Sequence, residues 1–157
     1  MIVLIDTNIL DCIHDDPQFE SELRDLVLRR RELSLLITHV QRDEVMAIDD
    51  DKADRRKALL ALIDELMGIV ATKGAAFDVS RFDMSTFDDS SNIDSLRASK
   101  RNPNATRDGL IFNTATRGDI DLFVSNDVSR LKRLIDLENA PPLCRYAGFK
   151  AFVRRTR

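Results

Sequence analysis

Four acidic residues carry the chemistry that this sequence offers. Asp6 closes the apolar run Ile2-Val3-Leu4-Ile5 and is followed at once by Thr7 and Asn8. Glu44 lies six residues past Thr38, Asp108 precedes Leu110-Ile111, and Asp127 follows Leu122-Phe123-Val124-Ser125-Asn126. A short, mostly β-branched run ending in a carboxylate reads as a buried strand with its acid at the C-terminal end. That end is where open α/β sheets bind ligands. The other three acids take comparable places in an alternating order of strands and helices, so a parallel sheet gathers all four at one edge. Carboxylates brought to about 4 Å repel by roughly 1 kcal/mol per pair in water and about 4 kcal/mol at an effective dielectric of 20. Such a group either retains protons, with raised pKa values, or takes up a divalent cation. Oxygen donors without His or Cys favour Mg²⁺ or Mn²⁺ over Zn²⁺. One such ion activates a water nucleophile and a second stabilises a leaving oxygen, which is the chemistry of phosphodiester hydrolysis.

The elements that must position these acids can be read along the chain. Residues 2–5 form the first strand. Pro17 stands at a first helical position behind Asp15 and Asp16, and Phe19, Leu23, Leu26 and Val27 continue that helix to about Arg31. Leu33 to Thr38 reads as a second buried strand, with Thr38 capping a helix that carries Val40, Val45 and Ile48. Asp49-Asp50-Asp51 breaks it. Lys52 to about Val70 is the clearest amphipathic helix, with Leu59, Leu62, Ile63, Leu66 and Met67 on its core side. Residues 75–79 suggest a short strand, and residues 80–107 are irregular, with mobility expected in the absence of ligand. Asp108 opens a helix that buries Leu110, Ile111 and Ala115 and ends near Gly118. Asp121 to Ser125 is a third clear strand, Val128 to Ile135 a helix, Leu143-Cys144-Arg145 a last strand and Phe149 to Arg155 a closing helix. The alternation predicts an α/β fold with a mainly parallel central sheet covered on both faces, in a single domain over residues 1–157.

Composition narrows the class. At 157 residues with 43% hydrophobic and 32% charged content, the chain is an ordinary globular domain. No run reaches the length of a membrane span and no signal peptide is evident, so a cytoplasmic protein with no membrane partner is expected. Cys12 and Cys144 lack CxxC spacing and read as reduced, partly buried thiols. Asp outnumbers Glu by 21 to 6, which suits turns and caps as well as an acidic centre. Basic groups cluster at Arg29 to Arg31, Arg97 to Arg107 and Arg154 to Arg157, but a net charge of −3 does not announce nucleic acid.

The ordered set Leu4-Ile5-Asp6-Thr7-Asn8, Thr38-x5-Glu44, Arg107-Asp108-Gly109-Leu110-Ile111-Phe112-Asn113-Thr114-Ala115 and Leu122-Phe123-Val124-Ser125-Asn126-Asp127 resembles the PIN-domain ribonucleases. The toxins of VapBC-type toxin–antitoxin pairs are among them. The resemblance spans residues 1 to about 135. It implies a three-layer α/β/α sandwich and a Mg²⁺- or Mn²⁺-dependent endoribonuclease site. By that resemblance Asp6, Glu44, Asp108 and Asp127 are the catalytic, metal-binding acids, and Asn8 and Ser125 orient ligands or water. RNA as substrate comes from the resemblance alone, since no residue here reads a 2′-hydroxyl. The setting it implies is a toxin–antitoxin pair or RNA processing, and residues 75–107 are longer than a minimal member needs.

Other features weigh less. Lys100, Arg101 and Arg107 precede Asp108 and are the basic groups best placed for substrate phosphate. Asp119 and Asp121 read as solvated turn residues, and His14 and His39 as surface or capping groups rather than an acid–base pair. Residual apolar surface serves a homodimer or an antitoxin peptide, which sequence does not separate. A catalytically silent PIN-like module in an RNA-processing complex is the alternative from another class. A haloacid-dehalogenase-like phosphatase needs a second acid two residues after the first, where Asn8 stands. A receiver domain lacks its paired acids here.

Overall fold

A computed structural model describes residues 1–73, 79–81, 83–86, 105–127 and 140–156. The apolar runs form the strands of one five-stranded sheet: β1 (Ile2–Ile5), β2 (Ser34–Thr38), β3 (Met67–Val70), β6 (Leu122–Val124) and β7 (Leu143–Cys144). Their order is β3-β2-β1-β6-β7 and every pairing is parallel. The two short strands between, β4 (Thr72–Lys73) and β5 (Ser85–Thr86), make a separate parallel pair. The helices are α1 (Thr7–His14), α2 (Pro17–Arg24), α3 (His39–Met46), α4 (Ala53–Leu66), α5 (Ala105–Arg117) and α6 (Tyr146–Thr156).

Strand β1 sits in the middle and is buried on both faces, as a central parallel strand must be. Val3 and Ile5 join one cluster with Ile9 and Ile13 of α1, Phe19 and Leu23 of α2, Leu59, Ile63 and Leu66 of α4, and Phe149 and Val153 of α6. Leu4, between them, points the other way into a cluster with Val40 of α3, Leu110, Ile111 and Ala115 of α5, and Phe123. The period-two alternation of a single strand thus divides the core into two halves, one on each side of the sheet.

Several boundaries differ from those expected, each for a local reason. Helix α1 was not legible: only Ile9, Leu10 and Ile13 of its eight residues are buried, too short a stretch to show a clear period. Asp6 begins it as N-cap. Pro17 and Asp16 behave as expected, with the Asp16 carboxylate accepting from Phe19 N. That helix continues as a π-helical turn over Asp25–Arg30 and stops at Arg31 in the left-handed region, φ 55°. The long amphipathic helix ends at Leu66 rather than near Val70, because Met67–Val70 pairs along β2 as the edge strand. Helix α5 begins at Ala105, so Asp108 stands in its first turn rather than at its start. The expected strand at 75–79 and the expected helix at 128–135 lie almost wholly outside the described residues, as does most of the irregular stretch 80–107.

Gln41 joins the layers beneath the site. It is fully buried, its side-chain oxygen accepts from Thr38 N at 2.7 Å, and its amide nitrogen donates to the Ile5 carbonyl. The Thr38-x-x-Gln41 spacing is that of a capping box. The amide therefore closes the start of α3 and ties it to the end of β1. Gln41→Leu, similar in size but without polar atoms, removes both bonds and leaves two buried backbone groups short of a partner. The expected loss is about 2–4 kcal/mol in a urea unfolding curve.

Candidate functional site

The pairing of β1 with β6 sets the site. Ile5 stands opposite Val124, and Asp6 N donates to the Val124 carbonyl at 2.9 Å. The next residues in register, Asp6 and Ser125, therefore meet at the C-terminal edge of the sheet. The chain leaves β1 for β2 on one side, while β6 lies on the other, so this is the topological switch point of the sheet.

Asp6 is held from both of its oxygens. Oδ1 accepts from Thr7 N at 2.8 Å, and Oδ2 accepts from Asn8 Nδ2 at 2.8 Å and from Ser125 Oγ at 2.5 Å. Ser125 is fully buried and its hydroxyl oxygen in turn accepts from Asp127 N at 3.1 Å. Asn8 spans the same gap, its Oδ1 accepting from Asn126 N at 3.0 Å. Burial nevertheless raises the Asp6 carboxyl above its ordinary value; the bonds from Ser125, Thr7 and Asn8 oppose that, and the charge of Asp127 adds to it. Desolvation outweighs the donors.

Glu44, on the second turn of α3, comes to the same edge. Its Oε2 accepts from Thr7 Oγ1 at 2.5 Å. Its carboxyl is also raised, first by burial and further by the charges of Asp6 and Asp108, while the Thr7 hydroxyl and the charge of Arg107 pull the other way. The four acids thus form a chain of repulsions running Asp127, Asp6, Glu44, Asp108. Thr7 sits inside it, giving its backbone N–H to one carboxylate and its hydroxyl to the next.

The structure brings Asp6, Asn8, Ser125, Glu44, Asp108 and Asp127 to one edge, with exposed Arg107 beside Glu44 and Asp108. Among the described residues, no three carboxylate, imidazole or thiol groups come close enough to ligate one metal ion together. The donor set is one of oxygens, desolvated and mutually repelling. Such donors would suit a hard cation that keeps part of its water shell rather than a fully dehydrated one. Lys100 and Arg101 lie outside the described residues. His39, expected as a surface or capping group, is buried at the start of α3, with Nε2 facing the Val79 carbonyl at 3.3 Å. Asp121 is exposed at the entry of β6, far along the strand from the site, and also accepts from Ile2 N at 2.7 Å. Cys12 and Cys144 are free, partly buried thiols as expected. Thr7, Gln41 and Asn126 were given no role in advance; Gln41 stands at the third position after Thr38, a capping-box signal that points to a helix start alone.

No family model matches the chain, and no curated protein does. Among solved structures, the chain is similar to one described as VapBC2 from Rickettsia felis bound to a DNA fragment from their promoter. The TM-score is 0.53 at 17% identity, covering 92% of this chain and 98% of the other. It is also similar to VapBC-1 from nontypeable Haemophilus influenzae, with a TM-score of 0.52 at 12% identity over 94% and 99% of the two chains. At such identities the likeness speaks for the fold: the chain has the PIN-like three-layer α/β/α sandwich.

Two outcomes follow from the acid chain. Because Asp6 and Glu44 titrate above their ordinary values, the folded protein holds more protons than the unfolded chain between those values and the raised native ones. Stability of the metal-free protein therefore falls as pH rises through that window. Glu44→Gln removes one of the groups and relieves its neighbours, so its melting temperature should exceed that of the wild type at pH 7, with the gap closing toward pH 4. Thr7→Val keeps the shape and the N–H but removes the hydroxyl from Glu44. An NMR titration of the Glu44 carboxyl should place it higher than in the wild type, and Thr7→Ser should restore it.

Proposed function

We propose that this chain is a Mg²⁺- or Mn²⁺-dependent endoribonuclease, the toxin partner of a toxin–antitoxin pair acting in the cytoplasm. The observation that carries the reading is the Asp6 carboxylate. It is half-buried at the switch point of a PIN-like sheet and held by Thr7 N, Asn8 and Ser125. It also stands within electrostatic reach of Asp127 and Glu44. A structural protein gains nothing from such repulsion, whereas a cation site uses it.

In this reading Asp6, Glu44, Asp108 and Asp127 would hold the ion. Bound there, Mg²⁺ or Mn²⁺ supplies Lewis acidity toward a phosphate oxygen and acidifies water at neutral pH. Asn8 and Ser125 keep the Asp6 oxygens aimed by occupying one of them. Arg107, exposed beside Asp108, gives a positive group to a phosphate of the substrate. RNA is the substrate class of the family that the sequence resembles. An antitoxin partner is supported by both structural neighbours being VapBC structures, and promoter DNA in one of them suits a pair that regulates its own synthesis.

The second reading is a catalytically silent PIN-like module that binds RNA or protein. It is favoured by one observation, that no three of the described acids stand at direct ligating separation. The two readings part on metal. An ion that binds only the folded state raises stability by about 2.7 kcal/mol at a hundred times its dissociation constant. The nuclease reading expects Mn²⁺ to raise the melting temperature of the wild type and not of Asp6→Asn. It also expects cleavage of a labelled RNA pool that EDTA abolishes and that Asp6→Asn or Asp127→Asn lowers by roughly two orders of magnitude or more. No melting shift and no cleavage would favour the silent module; equal cleavage by wild type and Asp6→Asn would assign the activity to a contaminant.

A further inference from the structure

We infer that Asn126 is a positioning residue for the acid site: its side chain anchors the turn after β6 to the first residue of α6 and to α1, and so holds Asn8 and Ser125 against Asp6. The inference rests on the reading of the acid cluster as the working site. Asn126 is exposed, yet its polar groups reach three residues on two separate helices, Asn8 and Cys12 of α1 and Tyr146 of α6. Its Oδ1 accepts from Tyr146 N at 3.1 Å, one of the N–H groups that every helix start leaves without a partner in the helix. Its Nδ2 donates to Cys12 Sγ at 3.3 Å, and its backbone N donates to Asn8 Oδ1 at 3.0 Å.

The side-chain type matters. A backbone N–H only donates, so an acceptor must face Tyr146. Cys12 Sγ already donates to the Asn8 carbonyl at 3.4 Å, so a donor must face the sulfur. A hydroxyl carries donor and acceptor on one atom, whereas Asn carries them on two, Nδ2 toward Cys12 and Oδ1 toward Tyr146. Asp offers no donor and adds a negative charge next to Asp127 and Asp6. Burial and the charges of Asp11 and Asp15 raise the Cys12 thiol, opposed by the bond from Asn126, so the sulfur is kept as a neutral acceptor and not as a nucleophile. Asn8 and Cys12 lie four residues apart on one face of α1, and Asn126 covers both. Through Asn8, whose Nδ2 donates to Asp6 Oδ2, and through Ser125, which precedes it, the anchor fixes the donors around the central carboxylate. Helix α6 is thereby coupled to the site without touching an acid of it. Its own seat is independent of the anchor: Phe149 packs edge-on against Phe19 with ring centres 5.8 Å apart.

The test compares wild type, Asn126→Ala, Asn126→Asp and Tyr146→Phe. Tyr146→Phe loses the hydroxyl bond to Asp16 at 3.1 Å but keeps the backbone N–H that Asn126 accepts. In metal-free protein, ¹⁵N NMR reads the Asn8 side-chain amide and the exchange of the Asp127 N–H. In Asn126→Ala these should shift and exchange roughly tenfold faster or more, and in Asn126→Asp likewise, since the donor to Cys12 is gone. In Tyr146→Phe the melting temperature should fall with both signals unchanged. Mn²⁺ should bind Asn126→Ala about tenfold more weakly than wild type, the usual scale for a residue that orients a ligand. Unchanged Asn8 and Asp127 signals in both Asn126 variants, or equal changes in Tyr146→Phe, would overturn the inference. If those signals move as expected but wild type itself binds no Mn²⁺, the metal reading fails and the positioning role stands.

Discussion

One constraint organises this molecule: a carboxylate taken out of water must be surrounded by donors that stay where they are put. Asp6 lies where the central strand stops, and its donors come from three directions: its own next residue, the first turn of α1, and the end of β6. Each is fixed by something larger. The parallel pairing of β1 with β6 sets Ser125, the start of α1 sets Thr7 and Asn8, and buried Gln41 binds the end of β1 to the start of α3. The core on the two faces of the sheet supplies the rigidity. Charge-assisted bonds to fixed donors are the strong kind, yet here they do not fully offset the loss of water and the neighbouring charges. The residual imbalance is what a cation would relieve.

The same logic explains why neutral polar residues recur between the acids. Thr7 lies between Asp6 and Glu44, and Ser125 between Asp6 and the backbone of Asp127. Each gives hydrogens to an anion while adding no charge of its own. A lysine in either place would cancel part of the cluster's negative charge; an apolar residue would take a hydroxyl donor from the carboxylates. Placing small donors between acids keeps the group anionic and ordered at once.

Much of this was legible in the sequence, for reasons that differ by element. Residues 2–5 were clear because a fully buried parallel strand is a continuous apolar run, and Asp6 ends it abruptly. Pro17 behind Asp16 was clear because proline at a helix start carries a local steric signal. The end of α4 was not, since Met67 and Val70 suit the core side of a helix as well as an edge strand. Only pairing with β2, a non-local event, decides between them. Asp6, Asp108 and Asp127 stand out in the sequence because each follows or opens an apolar run, whereas Glu44, inside α3, is lifted only by its place in the ordered set. The spacing of the four acids was not legible: sequence order places them on one edge, whereas the separation between side chains depends on how α3 and α5 tilt over the sheet. Asn126 was opaque for a similar reason, as its partners Cys12 and Tyr146 lie 114 and 20 residues away.

The clasp between β4 and α5 helps to decide where one acid of the site stands. Asn113 Nδ2 donates to the Lys73 carbonyl at 2.6 Å, and Lys73 N donates to Thr114 Oγ1 at 3.0 Å. These bonds moor α5 directly to the strand that follows β3 and, with the packing of Leu110, Ile111 and Ala115 against Leu4 and Phe123, set the height of Asp108 above the sheet. Removing the Asn113 amide or the Thr114 hydroxyl is therefore felt at the carboxylate carried by the same rigid helix.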